Sequence, residues 1–192
     1  MRVAVIPARG GSQRIPRKNI RDFMGKPMLQ WPVEAALESC LFDQVVVSTD
    51  DDEIAALAQS LGCVLHRRKT DDGSRGTQEL AATVLDKFQR LYGEVDQACV
   101  IYPCSPMLTA QDLIVSHRML TPRVQWVISW LDAEGIDADA GCLYWGRSWS
   151  FLQRNPLAER PAYFPADPAR FIDINTFDDL QRAEVMFNAL NP

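Results

Sequence analysis

Three short runs constrain this chain most: "VAVIP" (Val3 to Pro7), "VVVSTD" (Val45 to Asp50) and "ACVIYP" (Ala98 to Pro103) are almost wholly apolar and rich in β-branched residues. A strand with one wet face alternates polar and apolar residues. These runs do not alternate, so both of their faces must be covered, as in a parallel sheet flanked by helices. The segments between them have a helical period instead: "MLQWPVEAALES" (Met28 to Ser39), "DEIAALAQSLG" ending at Gly62, and "TQELAATVLDKFQRLYG" ending at Gly93. Leu80, Val84, Phe88 and Leu91 share one face of the third, and Gly62 and Gly93 stand where a C′ glycine stops a helix. A further helix, "AQDLIVSHRML", leads to a strand "VQWVISWL" (Val124 to Leu131) and another at "AGCLYWG". The last helix is opened by Thr176 with Asp179 in capping-box spacing, and buries Leu180, Ala183, Phe187 and Leu190. "RNPLAERPAYFPADPAR", with prolines at 156, 161, 165 and 168, reads as a surface excursion. The expected fold is an α/β, Rossmann-like doubly wound and mostly parallel sheet, with its ligand crevice at the carboxyl ends of the strands. Its 192 residues suit one domain, residues 1–192, better than two.

Charge narrows the partners. A net charge of -5 argues against general nucleic-acid binding, since the one dense run of positive charge lies in a single loop. The five cysteines (Cys40, Cys63, Cys99, Cys104, Cys142) are odd in number and scattered, which suggests neither a disulfide framework nor a metal knuckle. His66 and His117 stand alone, so zinc is not expected. Cys104 beside Ser105 has no histidine with a sequence reason to meet it, so a covalent mechanism is not expected either. The chain opens on a strand without a leader and has no long apolar span, so a cytoplasmic protein with no membrane partner is expected.

The loop in question is "IPARGGSQRIPRKN" (Ile6 to Asn19), directly after the first strand. From Arg9 to Lys26 there are six cations, Arg9, Arg14, Arg17, Lys18, Arg21 and Lys26, against one acid, Asp22. Gly10 and Gly11 let backbone amides approach phosphate oxygens, and Arg9, Arg14 and Lys18 supply charged hydrogen bonds, which together suit a triphosphate. The pattern is neither GxxxxGK[ST] nor GxGxxG, which disfavours a P-loop ATPase and a dinucleotide enzyme. By charge alone a solvated basic loop is an equal alternative, and only its place after the first strand favours a site. Asp50, Asp51 and Asp52 close the second strand and read first as helix caps, with metal or ribose contact as the other reading.

"IPARGGSQRIPRKNIRDFMGKPML" resembles the signature RxGSKRIPxKN of the CMP-sugar synthetases, the cytidylyltransferases that activate nine-carbon keto-acid sugars. "CLFDQVVVSTDD", "YPCSP", "DAGCLYWG", "DIN" and "QRAEVMF" follow the same family in order, and the last three are similar to its pseudaminic acid branch. The resemblance implies the nucleotide-diphospho-sugar transferase type of fold and transfer of CMP from CTP to a pseudaminic or sialic-type sugar, with pyrophosphate released. Carried over by position, it implies that the loop residues Arg9, Gly10, Gly11, Ser12, Arg14 and Lys18 hold the nucleotide, with Gln13 where the family has lysine. Asn19, Arg68 and Ser105 would also lie by the nucleotide. Asp173 falls on the first acid of a late DxD pair that binds Mg²⁺, and Asn175 replaces the second. Arg9, Lys18 and Asp173 would then serve catalysis, and Tyr102, Tyr144 and Trp145 would face the sugar. CTP, a keto-acid sugar and a homodimer are the implied partners. "DAEGIDA" stands near residues 131–139 where the family carries a longer segment serving the sugar pocket and dimer contact. A non-catalytic nucleotide-binding module, and a transferase for another sugar, are the alternatives.

Overall fold

The structure, a computed structural model, describes residues 1–69, 76–133 and 136–191. Its main sheet has seven strands in the order β5-β4-β1-β6-β8-β7-β9: β1 (Arg2–Pro7), β4 (Gln44–Thr49), β5 (Val64–Arg67), β6 (Gln97–Ile101), β7 (Trp126–Ala133), β8 (Ile136–Arg147) and β9 (Pro161–Pro165). β2 (Asp22–Phe23) and β3 (Lys26–Pro27) make a small separate hairpin. The helices are α1 (Gln30–Glu38), α2 (Asp52–Ser60), α3 (Thr77–Tyr92), α4 (Ala110–Arg118), α5 (Ser148–Leu152) and α6 (Phe177–Leu190).

The three apolar runs become β1, β4 and β6, with β1 central and parallel to both neighbours. Both of their faces are covered. Ala4, Ile6, Val45 and Val47 pack in one cluster with residues of α1, α2 and α4, while Val3, Val5, Val46 and Val100 pack in another beneath α3 and α5. Burial of this kind is worth about 25 cal/mol per Å² of apolar surface, which is why these strands tolerate no polar alternation.

Beyond β6 the sheet changes character. β8 runs antiparallel to both β6 and β7, and β7 and β8 pair as far as Ala133 with Ile136; residues 134 and 135 of the short connection lie outside the described residues. The proline-rich stretch is more ordered than a surface excursion. It supplies the edge strand β9, parallel to β7, with Pro161 and Pro165 at its two ends, where a missing N–H costs least. Phe164, Ala166 and Phe171 are buried, and Arg170 forms an ion pair with Asp112, the residue completing the capping box of α4.

A third apolar cluster sits at the carboxyl ends of the strands. Ile15, Phe23, Met28, Ile174, Leu180 and Ala183 pack together, with Ile15 and Ile174 both at 0% exposure. These two isoleucines bind the basic loop to the segment before α6, although 159 positions separate them in the chain. They fix the spacing between the two walls described next.

Candidate active site

Three of the six cations have structural partners outside the crevice. Arg17, in the left-handed region at φ 58°, donates to Asp51 at 2.5 Å and pairs with Glu53 at 2.8 Å. Asp51 also caps α2 by accepting from the Ile54 N–H at 3.0 Å. Burial works against the Asp51 charge, but the Ile54 N–H and the Arg17 guanidinium hold its carboxyl below the ordinary value. Lys26 pairs with Glu34 at 2.6 Å and lies 4.5 Å over the Trp31 ring, and Arg21 lies 5.2 Å over Phe177.

Arg9, Arg14 and Lys18 remain, and all three line a crevice of about 540 Å³ at the carboxyl ends of β1 and β6. The loop that carries them is held by specific contacts. The Gly10 N–H donates to Asp50 at 2.9 Å, and a Cβ at Gly10 would fall 2.6 Å from Asp51 Oδ2, so the loop passes too close to α2 for any side chain there. A Cβ at Gly11 would meet nothing within 4 Å. Asn19 is buried, donates to the Arg9 carbonyl at 2.8 Å, and accepts from the Cys104 thiol at 3.2 Å.

The opposite wall comes from the segment before α6. The Lys18 ammonium donates to the Ile174 carbonyl at 2.6 Å. On either side of that buried residue, Asp173 and Asn175 turn to the crevice. Arg14 Nη2 donates to Asn175 Oδ1 at 2.7 Å, and Asn175 Nδ2 donates to Asp173 Oδ2 at 2.5 Å. α6 begins immediately after, through a complete Thr176–Asp179 capping box that also takes the Asn175 N–H at 3.0 Å. Gly141, at φ 61°, closes this wall, its missing Cβ lying only 3.6 Å from Asp173. Next to it, desolvation raises the Asp139 carboxyl, opposed by the Gly141 N–H and reinforced by the charge of Asp173.

The expected site residues therefore divide. Arg9, Ser12, Gln13, Arg14, Lys18 and Asn19 meet Arg68, Tyr102, Asp173 and Asn175 around one crevice. Gly10 and Gly11 shape the loop without lining the space, and Ser105 is buried in the turn after β6, its carbonyl accepting from the Leu108 N–H at 3.1 Å. Tyr144 and Trp145 do not face the crevice. As neighbours in β8 they point to opposite sides of the sheet: Trp145 stacks on Phe42 and donates to Ser116 Oγ at 3.0 Å, while Tyr144 packs with Trp126 and Phe151. Sequence reasoning passed over Thr77, Leu80 and Gly141 as lining residues, and weighed Cys104 only as a nucleophile. The first turn of α3 follows the carboxyl end of β5, so topology was the available signal for Thr77 and Leu80.

The chemistry of this space is that of a polyanion pocket. Arg9, Arg14 and Lys18 come from one wall, Arg68 from the end of β5, and the Asp173 carboxylate from the opposite wall. Burial pushes the Cys104 thiol up to about 11, so it is not a thiolate at neutral pH. Among the described residues no three histidines, cysteines, aspartates or glutamates converge. The Asp173 carboxylate suits a hard divalent cation that completes its shell with phosphate oxygens and water.

Comparison with known proteins agrees with this geometry. The family profile described as cytidylyltransferase matches residues 3–115. A pseudaminic acid cytidylyltransferase of Campylobacter jejuni is 41% identical, covering 96% of this chain and 95% of its own. Their alignment runs over 224 positions against 192 residues here, so the relative holds residues that this chain lacks. An N-acylneuraminate cytidylyltransferase of Oncorhynchus mykiss is 40% identical over 62% of this chain and 27% of its own. Among solved structures, a CMP:2-keto-3-deoxy-manno-octonic acid synthetase complexed with CTP superimposes with a TM-score of 0.76 at 17% identity, covering 98% of this chain and 99% of that one, which shows the fold. By the profile match over most of its length and by a relative that it covers nearly end to end, the chain belongs to the cytidylyltransferase family.

Proposed function

We propose that this protein transfers CMP from CTP to a nonulosonic acid, of the pseudaminic or sialic type, and releases pyrophosphate. One observation carries the reading: Arg9, Arg14 and Lys18 leave the end of β1 and face Asp173 across a single crevice. The relative spanning nearly the whole chain is itself a pseudaminic acid cytidylyltransferase, which favours this over a non-catalytic module.

Each residue has a physical task. As the bond between the α-phosphorus and the departing pyrophosphate breaks, negative charge grows on the leaving oxygens, and cations fixed beforehand stabilise it without reorganising. Arg9, Arg14 and Lys18 supply that field, with Lys18 held in place by the Ile174 carbonyl. Asp173 would hold Mg²⁺, which when bound neutralises phosphate oxygens electrostatically. Asn19, fixed between the Arg9 carbonyl and the Cys104 thiol, orients the nucleotide. The sugar's anomeric hydroxyl attacks in line, and its pocket lies toward Tyr102 and the β8 end of the crevice. A protonated and hydrogen-bonded Cys104 serves no covalent route.

The residues are read as one domain, 1–192, with the relative's extra segment corresponding to the β7–β8 turn. A cytoplasmic location, where CTP is made available, and a homodimer complete the proposal, the latter checked by sedimentation. Among the described residues no helix is long and apolar enough to cross a membrane. Calorimetric titration with CTP, ATP, UTP and GTP, with and without Mg²⁺, tests the reading. Selective CTP binding strengthened by Mg²⁺ is expected, and no binding of any of the four contradicts it.

A further inference from the structure

Asn175 stands where the two walls of the crevice meet, and both ends of its amide are engaged. The oxygen accepts from Arg14 at 2.7 Å and the nitrogen donates to Asp173 at 2.5 Å. A primary amide suits this place because it accepts from a guanidinium and donates to a carboxylate at once. Turned over, it would set donor against donor at Arg14 and acceptor against acceptor at Asp173, so the two partners fix its orientation. Aspartate at this position would satisfy Arg14 and repel Asp173. The same two chain segments are joined a second time by Lys18 Nζ on the Ile174 carbonyl, and a third time by the apolar cluster that holds both Ile15 and Ile174. The bridge therefore spans a rigid gap.

We propose that Asn175 is a positioning residue, coupling Arg14 on the triphosphate wall to Asp173 on the cation wall, and that it does not itself ligate the cation. The inference rests on the nucleotide reading of the crevice given above. A triphosphate that draws on Arg14 and a cation that draws on Asp173 then share one hydrogen-bonded chain. Each ligand fixes the bridge for the other, and linkage makes that coupling reciprocal. A simple cation ligand would act on the cation alone.

Binding measurements separate the two roles. CTP affinity is measured by calorimetry in EDTA, and Mn²⁺ affinity with and without CTP, for wild type, Arg14→Ala, Asn175→Ala, Asn175→Asp and the Arg14→Ala/Asn175→Ala double variant. Asn175→Ala is expected to weaken cation-free CTP binding by about tenfold, as for a lost charge-assisted contact. The double variant should bind CTP about as weakly as Arg14→Ala alone, because the second change removes a bridge that the first has already broken. Asn175→Asp keeps the side-chain shape. It should bind Mn²⁺ more tightly than wild type and cation-free CTP more weakly, its charge competing with phosphate for Arg14. If wild type binds CTP and Arg14→Ala weakens it, but Asn175→Ala leaves cation-free affinity unchanged and loses only Mn²⁺, Asn175 is a ligand and the bridge is overturned. Failure of wild type to bind CTP removes the nucleotide reading and the bridge together.

Discussion

The two halves of the sheet were built on different principles. From β5 to β6 all strands are parallel, covered on both faces, and deliver their loops to one edge; from β8 to β9 the sheet is mixed, and β7 and β8 pair through a register shift. The first half carries the cations of the crevice, Arg9, Arg14 and Lys18 on one continuous loop and Arg68 at the end of β5. The second gathers Gly141 from β8 with Asp173 and Asn175 from the segment before α6. A triphosphate needs a field of fixed sign, which a single loop can supply. Cation and sugar recognition need groups converging from several elements, and the second half supplies them from β8 and from the segment before α6.

The largest effect expected from breaking this division falls on the cation wall. Asp173→Ala should lower turnover by about 10²–10³-fold, the scale of losing one preorganised electrostatic group, while weakening cation-free CTP binding by less than the roughly tenfold expected of Asn175→Ala. Pyrophosphate-release kinetics beside calorimetry in EDTA check both halves of that statement. Equal loss of CTP binding would merge the two walls into one function. On the cation-bearing loop, Arg9→Ala or Lys18→Ala should weaken CTP binding by at least about 1 kcal/mol. Unchanged affinity in both variants would remove the loop from the site.

Two glycines sharpen the picture within the loop itself. Gly10→Ala forces a Cβ to 2.6 Å from Asp51 Oδ2 and should cost about 1–3 kcal/mol in denaturant unfolding, whereas Gly11→Ala meets nothing and should stay within about 0.5 kcal/mol. Equal effects would show that the loop is not seated on α2 as described. The pH dependence of stability follows from Asp51. Its folded pKa lies below the ordinary 3.8, so its contribution is present above that value and is lost as pH falls through the depressed one. Unfolding titrations below about pH 4 should show a shallower loss of stability in Asp51→Asn, which keeps the helix cap but cannot titrate. The smallest expected effect is at Cys104, whose thiol is raised to about 11: iodoacetamide should modify it slowly at pH 7, and more slowly still with CTP bound. Rapid alkylation unaffected by CTP would place the thiol outside the nucleotide pocket.

Legibility in the sequence followed the same division. β1, β4, β6 and the five longer helices were evident because burial on two faces and one-sided helical burial leave different periods. β5 is only four residues long, and β9 is framed by prolines that locally read as loop. β8 begins with "IDADAG", whose acids hide a strand that pairs through a register shift. The basic loop was readable because its charges are contiguous, although charge alone did not reveal that Arg17, Lys26 and Arg21 are tied elsewhere. Tyr144 and Trp145 misled as aromatic candidates, yet adjacency in a strand already forbids both from facing one sugar. The Arg14–Asn175–Asp173 chain was beyond reach, since it depends on an apolar cluster that gathers Ile15 and Ile174 from nearly opposite ends of the sequence.

The most direct test is to supply purified protein with CTP, Mg²⁺ and, in separate reactions, pseudaminic acid and N-acetylneuraminic acid, and to follow pyrophosphate and the CMP-sugar together by mass spectrometry. Equimolar appearance of both products with at least one acceptor is the predicted result. CTP bound in the crevice with no pyrophosphate released from either reaction would contradict the assignment of this chain as a nonulosonic acid cytidylyltransferase.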